Sequence, residues 1–154
     1  MQRLLETKGK LLGVDFGDKR TGLAVSDVTR FLASGIGYIS VGGMQRTAAR
    51  ICEIIKEENI TGGIVVGLPV NMNGTQGPRA EHARKFAAIL EEKLCECGTS
   101  LPIVMLDERM TTMAAARYLN ETDTRGQKRK SVIDTLSAQI ILQNALDRLK
   151  NMQS

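Results

Sequence analysis

The run Ile60-Thr61-Gly62-Gly63-Ile64-Val65-Val66-Gly67-Leu68 carries no charged residue and is rich in glycine and β-branched side chains. A strand with one wet face alternates polar and apolar residues. A strand without a polar face is buried on both sides, which is the situation of a parallel strand covered by helices. The flanks agree. Upstream, from Met44 to Asn59, Ala48, Ala49, Ile51, Cys52 and Ile55 recur at helical spacing, with Arg46, Arg50, Lys56 and Glu57 on other positions. Downstream, after an Asn- and Gly-rich loop from Pro69 to Pro78, a second helix is expected through Cys97, with Pro78 near its first turn. Helix, buried strand, helix is the core of an α/β fold.

The rest of the chain can be placed around that unit. Leu11–Phe16 and Thr21–Asp27 are apolar-rich runs joined by the short turn Gly17-Asp18-Lys19-Arg20, which reads as a hairpin. Ser34–Val41 supplies a third strand, broken by Gly42-Gly43. Ile103–Leu106 is a further strand, ending in Asp107-Glu108-Arg109. Thr111 or Thr112 can cap a helix to about Asn120. A polar connection, Glu121 to Lys130, leads to a last helix over about Val132 to Leu149, striped by Ile133, Leu136, Ile140, Ile141 and Leu142. The order β-β-β-α-β-α-β-α-α predicts a mixed five-stranded sheet, three antiparallel strands followed by βαβ units, with helices on both faces. The 154 residues show no internal repeat or linker, so residues 1–154 are expected to be a single domain.

Composition narrows the partners. The formal charge of +4 and sequence pI near 9.1 are compatible with a polyanion but do not require one. Aromatics are only 3% of the chain, which argues against base-stacking platforms as the main contact with nucleic acid. Cys52, Cys95 and Cys97 have no four-ligand zinc spacing; Cys52 reads as a small core residue, and Cys95 and Cys97 as reduced thiols near a helix end. No apolar run approaches the ~18 residues of a membrane span. Met1 to Lys10 lacks a signal-peptide apolar region, so a cytoplasmic protein with no membrane partner is expected.

Three acidic residues stand out by position. Asp15 lies in the otherwise apolar first strand, Glu108 ends the last strand, and Asp134 lies near the start of the apolar final helix. A carboxylate beside apolar elements costs several kcal/mol of desolvation unless a partner offsets it. A divalent cation is one such partner, and carboxylates from separate elements can converge on it. Each acid also has a plain structural reading. Asp15 can close the turn before Gly17 or pair with Lys19 or Arg20, and Glu108 can pair with Arg109. Asp134 can be a first-turn acid favoured by the helix dipole. Asp107 adds an ambiguity, because consecutive strand residues face opposite sides and only one of Asp107 and Glu108 can share the side of Asp15. His82, the only histidine, has no triad partners in the sequence and reads as a surface residue.

Four stretches carry a resemblance. Gly13-Val14-Asp15-Phe16-Gly17-Asp18-Lys19-Arg20-Thr21-Gly22-Leu23-Ala24-Val25-Ser26-Asp27 resembles the opening motif of the YqgF/RuvX family. Val66-Gly67-Leu68-Pro69-Val70-Asn71-Met72-Asn73-Gly74 with Gly77-Pro78-Arg79-Ala80 is similar to its second motif, and Asp107-Glu108-Arg109-Met110-Thr111-Thr112 to its third. Lys128-Arg129-Lys130, leading to Val132-Ile133-Asp134 and Ala138, is similar to its fourth. All four occur in family order over about Lys10 to Leu149. The resemblance implies an RNase H-like fold and a nuclease of 5′-end maturation of pre-16S ribosomal RNA, a family earlier described as Holliday junction resolvases. Its acidic triad maps onto Asp15, Glu108 and Asp134. Many other RNase H-like nucleases place an acid at the end of the fourth strand, where this chain has Gly67-Leu68-Pro69.

On this reading Asp15, Glu108 and Asp134 are both the catalytic residues and the ligands of one or two Mg²⁺ or Mn²⁺ ions. Asp15 bridges the pair and each of the others supports one ion. Lys19, Arg20, Asn71, Asn73, Arg79, Arg109, Lys128, Arg129 and Lys130 are the expected substrate contacts, of the phosphate-holding kind that positions a strand without reading its sequence. Pre-ribosomal RNA is the expected partner, with branched DNA in recombination and repair as the alternative, and the chain acts as monomer or homodimer. Two rivals compete. Asp15-Phe16-Gly17 with Lys19 and Thr21 also resembles the first phosphate loop of actin-like ATPases and sugar kinases, which close two such domains over ATP. A non-catalytic RNA-binding ribosome-assembly factor would keep the basic surface without needing three converging acids.

Overall fold

The computed structural model describes residues 1–71, 73–108 and 126–153, the last segment with side chains from Thr135 onward. The strands are β1 (Lys10–Asp15), β2 (Thr21–Ser26), β3 (Ala33–Ile39), β4 (Ile60–Leu68) and β5 (Ile103–Asp107). The helices are α1 (Gln2–Leu5), α2 (Met44–Glu57), α3 (Pro78–Glu96) and α4 (Gly126–Gln153). The helix expected from Thr111 or Thr112 to Asn120 lies outside the described residues.

The strands form one five-stranded sheet in the order β3-β2-β1-β4-β5. β1 pairs antiparallel with β2, and β2 with β3; β4 runs parallel to β1, and β5 parallel to β4. This is the expected mixed sheet. Period-two alternation sorts its side chains. Leu12, Val14, Leu23, Val25, Ile64 and Val66 point to one face and pack with Ile51, Phe86 and Leu90 of α2 and α3. Leu11, Ala24, Val65 and Leu106 point to the other and pack with Ala138, Ile141 and Leu142 of α4. The uncharged run of β4 is therefore apolar on both sides because both sides are covered. Each fully buried Leu, Ile or Val here contributes about 1.5–3 kcal/mol of transfer free energy.

The direction of α4 matters for the site. The Ala33 N–H donates to Gln143 Oε1 at 2.9 Å, whereas further along β3 a side chain at Gly35 would meet Thr135 and Gln139. β3 runs the same way as β1, so α4 descends against both. Over β1, a Cβ at Gly13 would stand 2.8 Å from Leu142 Cβ and 3.1 Å from the Ala138 carbonyl. The helix thus sits directly on the bare backbone of Gly13, and its earlier turns lie toward the C-terminal ends of β1, β4 and β5.

Two boundaries differ from the sequence reading. α4 begins at Gly126, so the basic stretch Lys128–Lys130 belongs to the helix and not to a connection before it. Apolar periodicity marks only the packed part of a helix, and among the residues of α4 whose side chains are described the buried ones run from Ser137 to Leu149. The four-residue α1 was not expected. It is anchored by fully buried Leu4 and by Arg30, whose guanidinium donates to the Leu4 and Gly9 carbonyls and to Thr7 Oγ1.

Candidate active site

Asp15 is the last residue of β1 and shares the parity of Leu11 and Gly13, so its side chain rises on the α4 face. Glu108 follows β5 with the parity of Val104 and Leu106, which face α4 as well. Its N–H donates to the Leu68 carbonyl at 3.1 Å, which extends the ladder by one residue and fixes that parity. Asp107 is turned to the opposite face. The ambiguity left by the sequence is thereby settled: Glu108, not Asp107, shares the side of Asp15.

β1 and β5 are separated by β4, two strand spacings or about 9.6 Å between backbones. Carboxyls from the two outer strands can meet only if the residue between them leaves room. That residue is Gly67. A Cβ there would stand 2.3 Å from Glu108 Oε2 and 2.5 Å from Ile141 Cδ1. The position where many other RNase H-like nucleases carry an acid is here an empty notch into which Glu108 reaches. The side chain of Glu108 is within hydrogen-bonding reach of Asp15, and the residue is only 5% exposed.

The electrostatics follow from this burial. Desolvation pushes the Glu108 carboxyl above the ordinary glutamate range. The positive charge of Arg79 and the hydrogen bond with Asp15 act against the rise, and the nearby charge of Asp107 adds to it. Hard carboxyl oxygens from two acids held together, one of them buried, are the donor set that a Mg²⁺ or Mn²⁺ ion takes. The residues present therefore fit a divalent cation. Helix position 134 stands one turn before Ala138, at the end of α4 that lies over the C-terminal ends of the strands. The backbone is thus at the right end of the sheet for Asp134 to join the pair; its side chain lies outside the described residues.

The expected substrate contacts divide into groups. Lys19 and Arg20 lie on the β1–β2 turn, directly after Asp15; Lys19 is exposed, and the Arg20 guanidinium stands 6.0 Å from the centre of the Tyr38 ring. Arg79, exposed in the first turn of α3, is close enough for its charge to act on Glu108. Asn71 and Asn73 brace the loop after β4. Asn71 Nδ2 donates to Thr75 Oγ1 at 3.0 Å, and Asn73 Oδ1 accepts from the Thr75 N–H and hydroxyl. Arg109 and the side chains of Lys128, Arg129 and Lys130 lie outside the described residues. His82 is exposed, as the surface reading expected, and its contact was not anticipated. Its Nδ1 stands 3.6 Å from Asp18 Oδ1, so α3 reaches the β1–β2 turn. Phe16 adds to that junction by stacking on Phe86, centroids 4.4 Å apart. No linear motif signals such a contact, because the partners sit on separate elements.

Comparison with known proteins agrees with this geometry. A family model described as "RuvX: Holliday junction resolvase" matches residues 9–148. The "Putative pre-16S rRNA nuclease" of Ruminiclostridium cellulolyticum is 41% identical over 141 residues, covering 91% of this chain and 95% of the relative. The protein of the same description from Geobacillus sp. (strain WCH70) is 46% identical over 140 residues, covering 90% and 97%. Among solved structures, T. thermophilus RuvC in complex with Holliday junction substrate superposes with a TM-score of 0.57 at 15% identity, over 93% of this chain and 96% of that one. The fowlpox virus resolvase with Holliday junction DNA gives 0.50 at 9% identity, over 94% and 99%. These distant likenesses bear on the fold, which is RNase H-like. The family match and the relatives at 41–46% identity bear on the lineage, and they show that the chain belongs to the RuvX family of nucleases.

Proposed function

We propose that residues 1–154 form one nuclease domain that hydrolyses nucleic-acid phosphodiesters with a divalent cation, acting in the cytoplasm in 5′-end maturation of pre-16S ribosomal RNA. The observation that carries the proposal is the carboxyl pair formed where buried Glu108, reaching over Gly67, comes within hydrogen-bonding reach of half-buried Asp15. An assembly factor that only bound RNA would have no use for a buried glutamate held against a second carboxyl, since burying that acid costs free energy. The RNA substrate is supported by the description shared by relatives over nearly their whole length.

Asp15, Glu108 and Asp134 are the residues that would hold one or two Mg²⁺ or Mn²⁺ ions. Bound there, such an ion supplies a hydroxide nucleophile at neutral pH and stabilises charge on the phosphate. The chain's own part is positioning. Burial biases Glu108 toward its protonated form, so its carboxylate becomes available when positive charge arrives. The enclosed notch over Gly67 strengthens every electrostatic contact made in it. Arg79, at the start of α3, lies where its guanidinium and the helix amides can share an anionic oxygen. Lys19, Arg20, Asn71, Asn73, Arg109, Lys128, Arg129 and Lys130 complete the strand contacts of this reading.

A second reading, resolution of four-way DNA junctions, is favoured by the family description and by the fold shared with RuvC. It would require two sites acting symmetrically, and hence a homodimer, whereas trimming one RNA strand would not. The deciding experiment offers the purified chain matched 5′-extended pre-16S RNA and four-way-junction DNA, with Mg²⁺ or Mn²⁺. Cleavage of the RNA extension supports the proposal. Symmetric junction cleavage with intact RNA transfers the activity to DNA. RNA binding without cleavage under either ion restores the assembly-factor reading.

A further inference from the structure

The three cysteines are free thiols, with Cys52 buried and Cys95 and Cys97 exposed. Cys52 lies on α2, in the apolar layer that also holds Ile51, Ile55 and Leu94. Cys97 is the C-cap of α3. The fold brings these two side chains within hydrogen-bonding reach of each other. We propose that Cys52 and Cys97 are a redox modification site, at which a peroxide converts the two thiols into a disulfide that staples α2 to α3 and stabilises the fold. This inference does not rest on the nuclease reading above.

The placement suits a bond between this pair. α2 and α3 already pack on one face of the sheet, so a disulfide would lock an existing contact. The two sulfurs must close to about 2.05 Å, so at least one partner has to adjust. Cys52 is held inside α2 and is only 6% exposed. Cys97 has the freedom that Cys52 lacks. It is exposed at the end of α3, and Gly98 follows it at φ +71° with open space around it. Cys95 precedes Cys97 by two helix positions, about 200° round the axis, so it faces away from Cys52. The pair is also remote from the carboxyl site. α2 ends just before β4 starts, and α3 ends before β5 starts, so both helix ends lie where the parallel strands begin. Asp15 lies where those strands finish, so the bond acts on the scaffold.

Exposure sets the order of events. Cys97 meets the oxidant first. Its thiolate sulfur attacks one oxygen of hydrogen peroxide, the O–O bond breaks, and the departing hydroxide takes up a proton to become water. Cys97 is left as a sulfenic acid. The Cys52 sulfur then attacks the Cys97 sulfur, the S–O bond breaks, and the hydroxide leaves with the Cys52 proton as a second water. Two thiols and one peroxide thus give one disulfide and two waters. The surroundings favour the second step once the first has occurred. Burial and the neighbouring Cys97 push the Cys52 thiol up to about 11, while the charges of Lys56 and Lys93 act against the rise. Oxidation of Cys97 to a neutral sulfenic acid removes the negative charge that contributes to that rise, and both ammonium groups stay in place.

The test treats the full chain, reduced and then freed of reductant, with stoichiometric hydrogen peroxide. Remaining thiols are blocked with N-ethylmaleimide, and the peptides are mapped by mass spectrometry beside a thermal melt. The wild type is expected to give a Cys52–Cys97 link within one chain, with Cys95 alkylated. Its Tm should rise by roughly 4–16 °C, the range for closing a loop of this kind in a chain this size, and should fall back on adding dithiothreitol. Cys95→Ser should behave as the wild type does. Cys52→Ala and Cys97→Ser should each form no link within the chain and show no rise in Tm with peroxide. Cys97→Ser alters an exposed position, so the comparison holds even if Cys52→Ala disturbs the core. Three alkylated thiols after peroxide, a Cys95–Cys97 bond, or links only between chains would overturn the pairing. A Cys52–Cys97 bond that leaves the Tm unchanged would overturn the stapling role.

Discussion

Gly67→Ala probes the notch on which the site depends. The added methyl would stand 2.3 Å from Glu108 Oε2 and 2.5 Å from Ile141 Cδ1. Neither neighbour yields easily: Ile141 is fully buried, and Glu108 is confined between the sheet and α4. Overpacking of this kind costs about 1–3 kcal/mol. Removing a glycine from the unfolded chain returns about 0.4–1 kcal/mol. The net loss of about 1–2 kcal/mol lowers the Tm of a chain this size by roughly 2–8 °C. The larger effect falls on activity. Glu108 must move away from Asp15, and a displacement of ~1 Å in such a constellation costs on the order of 10²-fold in rate. Cleavage of a labelled substrate with Mg²⁺, beside thermal unfolding followed by circular dichroism, reads both numbers. A variant that melts and cleaves like the wild type would refute the claim that Glu108 occupies the space over Gly67.

Other outcomes follow from the same geometry. Glu108→Gln should lower the cleavage rate by at least about 10²-fold, the scale of losing one preorganised charged group, while Asp107→Asn, turned to the opposite face, should stay within a few-fold of wild type in the same assay. Asp27 offers a pH test. Its carboxylate accepts from the Leu32 and Phe31 N–H groups and the Thr29 hydroxyl, which hold its pKa down from 3.8 to about 2. The resulting stability is present above the unfolded value and is lost as the pH falls through about 2. Asp27→Ala should therefore be less stable than wild type at neutral pH, with the difference closing between about pH 4 and 2 in urea titrations. Replacing Lys128, Arg129 and Lys130 together by Gln should flatten the salt dependence of RNA binding, by up to about 0.7 in log–log slope for each single-strand phosphate that is no longer neutralised. An unchanged slope would remove that cluster from the interface.

The fold was legible where burial writes itself into the residue pattern. The uncharged run of β4 announced a strand covered on both faces, and both hydrophobic clusters cover it. The hairpin was legible from its turn chemistry, and its register, Val14 opposite Leu23, follows from two apolar runs and a short loop. What the sequence pattern did not show was the start of α4 at Gly126, because the stretch around Lys128–Lys130 carries charge and no apolar stripe. The same limit hid α1, too short to have a period.

The candidate site was legible in part. Asp15 betrayed itself as an acid in an apolar strand. Choosing between Asp107 and Glu108 needed the strand's exact parity, which a sequence with two adjacent acids does not contain. The role of Gly67 was invisible for a deeper reason. A missing side chain carries no signal of its own, and its meaning depends on what reaches in from strands on either side. The contact of His82 with Asp18 belongs to the same category, since its partners sit on separate elements. The amides of Asn71 and Asn73 now have a definite local task, bracing the loop at Thr75.

The central claim is that Asp15 is a carboxylate of a cation-dependent active site, and Asp15→Asn tests it most directly. The variant keeps the size of the side chain and removes its charge. Assayed beside wild type on pre-16S RNA and four-way-junction DNA with Mg²⁺ and Mn²⁺, it should retain the circular dichroism spectrum and cleave neither substrate. Wild-type cleavage by a folded Asp15→Asn protein would contradict that role for Asp15.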